Sequence, residues 1–253
     1  MAKERFKELG MGSFFGDFVY REAVPEDHFL RLLDELVDWE VFKERLIQLY
    51  DGGARRGRPP YDPVVILKML LLAYLYDLSE RQTEVFVNDS LSAKCFLGLA
   101  VNERGPDHST LTRFKERIEQ NGNEEVLEEL LKALIAMAIG QGVAFGSVQV
   151  VDSTHTVADV NVSKDDRRHN QGEQRRDLDA RWGVKGKKRG KEGSEPHYFY
   201  GHKMHTVMNA KSEMITSVSV TGGNAPDGKQ LPKLVEKDGE QELAIETYTA
   251  DRA

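Results

Sequence analysis

The sequence predicts an α+β architecture, with an all-helical first domain and a strand-bearing second one. Three observations carry the prediction. Apolar side chains recur at helical spacing from Phe29 to Ala138. Beyond Gly146 the pattern becomes strand-like, with a short β-branched run up to Val151, alternation over Tyr198–Asn209 and Met214–Thr221, and a fourth strand candidate at Leu243–Ala250. Between the first two of these runs lies a polar, basic insert poor in large apolar side chains, which reads as loop.

Residues 1–24 show no period and read as a lead-in arm. Pro25 opens a helix with Phe29, Leu32, Leu33 and Leu36 on one stripe. Trp39, Phe42, Leu46, Ile47 and Leu49 mark a second helix, ending at Asp51-Gly52-Gly53. The segment carrying Arg55, Arg56 and Arg58 before Pro59-Pro60 is short, basic and extended. It reads either as an arm for phosphates or a minor groove, or as a solvated linker. Asp62-Pro63 is a helix start, with Asp as N-cap and Pro at the first position. The helix that follows, Val64–Tyr76, is apolar nearly all round and is predicted to be the buried centre of the first domain.

Ser79-Glu80-Arg81-Gln82 reads as a capping box opening a helix to about Asn88, and a short helix at Ser92–Leu97 follows. Thr110–Gln120 turns Leu111, Phe114 and Ile118 inward and Thr112, Arg113, Lys115 and Arg117 outward. Short helices ending in one with a basic face suit a helix-turn-helix-like DNA reader; a bundle with a solvated face fits the same pattern. A long helix from Asn123 to about Ile139 stops at Gly140 and Gly142. The helical domain is therefore drawn as 25–142 and the second domain as 143–253, with the basic insert at 157–196.

The 253 residues carry a net charge of −7, unevenly spread. Residues 1–146 hold 18 Lys and Arg against 25 Asp and Glu, whereas Lys164–Glu192 holds 11 against 6. A basic island on an acidic chain says more about partners than the total does. Arg167, Arg168, Arg175, Arg176, Lys187, Lys188 and Arg189 of that island are candidates for neutralising DNA phosphates. The longest apolar run, Val64–Ala73, is far too short to span a bilayer, and MAKERFKELG has no apolar core, so neither a membrane span nor a signal peptide is expected. A single cysteine, Cys95, excludes an internal disulfide framework and suits the cytoplasm; its apolar neighbours make it a small core residue, not a nucleophile.

The chemistry centres on SVQVVDSTHTVA, Ser147–Ala158. Val148, Val150 and Val151 read as a buried strand closed by Asp152, and ligands of open α/β sheets collect beyond the carboxyl ends of strands. Taken alone, Asp152 reads more readily as a turn or N-cap acid than as a ligand. Asp251, which terminates the last alternating run, is the second carboxylate. If that strand lies beside the first, both acids emerge at one edge. They could then share hard cations such as Mg²⁺ or Mn²⁺.

Several motifs, in order, resemble one family. Val24–Glu40 (VPEDHFLRLLDELVDWE), Gly57–Gln82 (GRPPYDPVVILKMLLLAYLYDLSERQ) and Asp107–Phe114 (DHSTLTRF) look like the N-terminal domain of bacterial insertion-sequence transposases of the IS-five superfamily, in its IS eleven-eighty-two-like branch. Val151–Thr154 (VDST), Tyr200–Lys203 (YGHK, with His at an aromatic position) and Thr249–Arg252 (TADR) are similar to its catalytic motifs. The resemblance implies a ribonuclease-H-like domain with an Asp-Asp-Glu triad and Mg²⁺, cutting and joining DNA at transposon ends. It implies Asp152 and Asp251 as catalytic metal ligands, and Lys203 near the active-site strands in contact with DNA. Expected partners are double-stranded terminal repeats and a second copy of the chain. The family's catalytic Glu has no counterpart before the sequence stops, so the catalytic domain is expected to be incomplete and this polypeptide alone is expected not to transpose DNA.

Three other readings stand beside it. A truncated repressor would bind DNA through the helical domain without catalysis. A nuclease outside transposition could use the same scaffold. His197, His202 and His205 have zinc-like spacing, although alternation points His202 and His205 to opposite faces.

Overall fold

A computed structural model of the chain describes residues 6–7, 9–10, 14–50, 59–120, 125–185, 196–241 and 243–250. Among them, helices and strands fall into two compact units, residues 1–133 and 134–253. The mixture of helix and sheet agrees with the α+β prediction. No helix among the described residues is long and apolar enough to cross a membrane.

The first unit is helical: α1 (Phe14–Ala23), α2 (Phe29–Leu36), α3 (Trp39–Leu46) with a 3₁₀ turn at Ile47–Tyr50, α4 (Pro63–Leu75), α5 (Glu80–Asp89), α6 (Leu91–Leu97) and α7 (His108–Glu119). As the sequence predicts, α4 is its centre. The Asp62 carboxylate accepts from the Val64 amide, Pro63 occupies the first turn, and Val65, Ile66, Met69 and Leu72 are buried. The burial does not run the whole length, because Tyr74 and Leu75 in the last turn reach solvent. Lys68 lies inside this core, paired with Asp34, donating to the Phe96 carbonyl at 3.0 Å and lying over the Trp39 ring. Burial lowers its pKa, with Asp34 acting in the opposite sense. Ser79 and Gln82 form the expected capping box. Cys95 is partly buried and its thiol is pushed up by that burial, which fits a packing role.

The stretch read as a lead-in arm departs from expectation, since it contains α1. Tyr20 and Val24 bury themselves there, and the Tyr20 hydroxyl donates to the Leu99 carbonyl at 2.7 Å. Tertiary contacts of that kind leave no local period to read.

α8 (Glu125–Gly140) leads into the sheet of the second unit, built from β1 (Val148–Val157), β2 (Arg181–Lys185), β3 (His197–Asn209), β4 (Ile215–Gly222) and β5 (Thr247–Ala250), with α9 (Val162–Asn170) and α10 (Leu231–Gly239). β3 is the central strand: β1 pairs antiparallel along one edge, and β2 and β4 share the other. β5 pairs parallel on the far side of β1. Gly201 lies close against β1, since a Cβ there would lie 2.0 Å from the Thr156 carbonyl oxygen.

Two sequence expectations are corrected here. The insert is not simply loop, since it holds α9 and β2. Asn161 caps α9, and buried Asp165 accepts from the Arg176 amide at 3.0 Å, so polar groups organise a segment that lacks apolar ones. β1 also runs on past Asp152 to Val157, because Ser153–Val157 continue the ladder with β3; Asp152 is a mid-strand residue, not the strand's last.

A polar lock joins four elements of this unit. Gln149 of β1 is fully buried and donates to Thr216 Oγ1 of β4 at 3.1 Å and to Asp238 Oδ2 of α10 at 2.9 Å. The same oxygen accepts from the Tyr248 hydroxyl of β5 at 2.9 Å. Asp238 is 1% exposed, and its Oδ1 has no partner among the described residues, so each bond it does accept is costly to lose. Burial, and then the hydrogen bond to Asp238, push the Tyr248 hydroxyl up to about 12. The folded state thus holds this proton more tightly than the unfolded chain, for which the pKa is 10.0. Its contribution is complete below that pH and is lost as pH rises from there to about 12. Tyr248→Phe is expected to cost about 1–3 kcal/mol in denaturant unfolding. It should also flatten the alkaline loss of stability between those two pH values.

Candidate active site on the central sheet

Asp152 stands exposed on β1, opposite Thr206 of β3. Its Oδ1 accepts from the Ser153 amide at 2.7 Å, and no cationic side chain pairs with it among the described residues. Strand alternation gives the sheet two different faces. Gln149, Val151, Ser153 and His155 lie on the face toward α10, and Val148, Val150, Asp152 and Thr154 on the other. Asp152 therefore presents a hard oxygen donor on an open surface.

The parallel pairing of β1 with β5 sets what stands next to it. The register runs Val148↔Thr247, Gln149↔Tyr248, Val150↔Thr249, Val151↔Ala250. The residue after Val151 is Asp152 and the residue after Ala250 is Asp251, although Asp251 itself lies outside the described residues. The strand adjacency that the sequence argument required is present, with the two strands in step.

Lys203 belongs to the other face. Its ammonium donates to the Ala225 carbonyl and to Asp227 Oδ1, both at 3.1 Å. Asp227 Oδ1 also lies 3.5 Å from His205 Nδ1, while His205 Nε2 and Thr221 Oγ1 are 2.9 Å apart. Burial lowers the His205 pKa; Asp227 works against this and Lys203 with it. This cluster ties the turn after β4 down onto β3. The sequence places Asp227 at the end of a helix-capping loop, Gly222-Gly223-Asn224-Ala225-Pro226-Asp227, without showing its pairing with Lys203 and His205.

The other sequence candidates are dispersed. On α7, Arg113 is exposed, Lys115 pairs with Glu80 at 2.8 Å, and Arg117 lies over the Tyr50 ring at 4.2 Å. On α9, Arg167 donates to the Ser163 carbonyl and Arg168 pairs with Glu173. Arg55, Arg56, Arg58, Lys187, Lys188 and Arg189 lie outside the described residues. Of the histidines with zinc-like spacing, His202 is 2.8 Å from Asp177 and His205 bonds Thr221, on opposite faces of β3. Among the described residues no group of three His, Cys, Asp or Glu side chains is placed to hold a metal.

The buried His205 gives a pH prediction. Because the folded state resists protonating it, its contribution is complete above the ordinary value of 6.5 and is lost as pH falls below that. Thermal unfolding of the second unit should shift downward on acidification through this range. His205→Gln, which keeps a partner for Thr221, should remove that part of the shift; an unchanged profile would assign it to other groups.

Comparison with known families adds two matches. Residues 18–117 match the model described as Transposase domain (DUF772), and residues 144–253 match the Transposase DDE domain. No solved structure matches the chain.

Proposed function

From a chain whose two matched domains indicate an insertion-sequence transposase, we propose that the second unit is a ribonuclease-H-like catalytic domain that cuts and joins DNA at transposon ends. Asp152 and Asp251 are its metal-binding carboxylates, and the chain sits in the IS-five superfamily, in the IS eleven-eighty-two-like branch. The observation that carries this reading is the β1–β5 register, whose last described pair, Val151↔Ala250, is followed on both strands by Asp. Adjacent strands lie about 4.8 Å apart, so a ladder carried one residue further brings the two carboxylates within reach of common cations.

The donor set fits such an ion. Asp152 offers carboxylate oxygen on an open face, with no competing cation among the described residues, and hard divalent ions take oxygen ligands. Bound Mg²⁺ or Mn²⁺ would activate the attacking oxygen and stabilise the leaving one. The protein's own part is positional. The ladder pairs Val151 with Ala250, the residues that precede the two acids, and the Gln149–Asp238–Tyr248 lock keeps the two strands in step. DNA phosphates are met by the basic groups of the insert, among them Arg167, Arg168, Lys187, Lys188 and Arg189, by Arg113, Lys115 and Arg117 of α7, and by the Arg55–Arg58 segment. Lys203 has a positioning role in this scheme, anchoring Asp227 and through it the turn beside the sheet.

Mn²⁺ binding, followed by the paramagnetic signal of the free ion, tests the assignment without requiring turnover. Asp152→Asn and Asp251→Asn should each weaken binding at least about tenfold. Unchanged binding in either variant would overturn the paired-carboxylate site.

A further inference from the structure

The strand hidden in the insert opens a second site. Trp182 of β2 is 54% exposed, an unusual position for so large an apolar ring. It pairs across the ladder with Tyr200 of β3, the ring centroids 5.6 Å apart and the planes inclined by 59°. These rings, with Leu178, His169 and Arg175, line a concavity of about 550 Å³, within the usual range of ligand pockets. Tyr200 is buried, and its hydroxyl lies against the Arg175 guanidinium, which interacts with it.

Placement ties the pocket to the acid. Along β3, Tyr200 shares a face with Thr206, which lies opposite Asp152, and Trp182 shares the face of its partner Tyr200. Six residues of strand separate Tyr200 from Thr206, about 20 Å at ~3.4 Å per residue, or about six nucleotide steps along one DNA strand. One strand lying on this face would reach both.

The wall chemistry narrows the occupant. An exposed indole stacks on any base, while an apolar side chain such as Leu178 covers the base's edge. Arg175, held at the wall by Asp166 at 2.6 Å, and His169 supply donors. Glu173, the acid of the lining, is engaged by Arg168. A paired base inside a duplex cannot enter such a pocket; an unstacked one can. We propose that the Trp182–Tyr200 pocket binds an unpaired nucleobase of the DNA being processed, stacked on Trp182 with its backbone near Arg175 and His169. The proposal rests on the reading of the chain as a DNA transposase, and adds the form of DNA recognised.

The test uses the 253-residue chain without metal, in a Trp39→Phe background that leaves Trp182 as its one tryptophan. Oligothymidine should quench Trp182 fluorescence, and an abasic strand of equal length should not. Trp182→Ala should weaken oligothymidine binding, read by anisotropy of a labelled strand, about tenfold, the scale of one lost base–aromatic stack. Trp182→Phe should restore most of the affinity, and abasic-strand and duplex binding should be unaffected, which also shows that the variants are folded. Equal quenching by the abasic strand, or unchanged oligothymidine affinity in Trp182→Ala, would overturn the pocket while leaving DNA binding intact. Absence of binding to every strand and duplex at low salt would overturn the transposase reading and the pocket together.

Discussion

The second unit depends on one constraint: a short parallel strand must lie in register beside β1. Parallel neighbours cannot be joined by a tight turn and need a crossover, which α10 supplies between β4 and β5. The same helix contributes Asp238, whose buried carboxylate bonds a side chain from each of the two strands it brings together. Four residues of β5 are described, and the Tyr248–Asp238 bond ties them to α10. A buried acid with one oxygen lacking a partner is a cost the fold tolerates only where the remaining bonds are needed.

That arrangement divides the polar groups by sheet face. Toward α10 they are closed on one another: Gln149 with Asp238, His205 with Thr221, Lys203 with Asp227. These groups hold the scaffold. On the other face Asp152 stands among exposed threonines, and further along β3 the Trp182–Tyr200 pocket opens. The Asp152 carboxylate, exposed and without a cationic partner among the described residues, is on that face. In the first unit the basic side chains of α7 show the same economy on a smaller scale, Lys115 and Arg117 having internal partners and Arg113 facing solvent.

Much of this was legible in the residues. Asp62-Pro63 and the Ser79–Gln82 box announced their helices, because caps are local devices. Alternation located β3 and β4 almost to the residue. α1 and α9 were not legible, since Tyr20 and Asp165 are fixed by partners distant in sequence or by polar bonds that leave no period. β2 escaped for a related reason: Arg181-Trp182-Gly183-Val184 alternates, but over too few residues amid a charged insert to stand out. Asp152 was found as a candidate on the mistaken premise that it ended its strand. The register with β5, a purely tertiary fact, is what gives it a neighbour in the proposed site.

The central claim is that Asp152 and Asp251 ligate the same ions. Iron-promoted backbone cleavage reads this directly, since Fe²⁺ held in the Mg²⁺ site, with ascorbate and peroxide, cuts the chain next to its ligands. Cuts are expected beside residue 152 and beside residue 251, both suppressed by excess Mg²⁺ and both lost together in Asp152→Asn. Cleavage at one position that persists when the other acid is removed would contradict the claim.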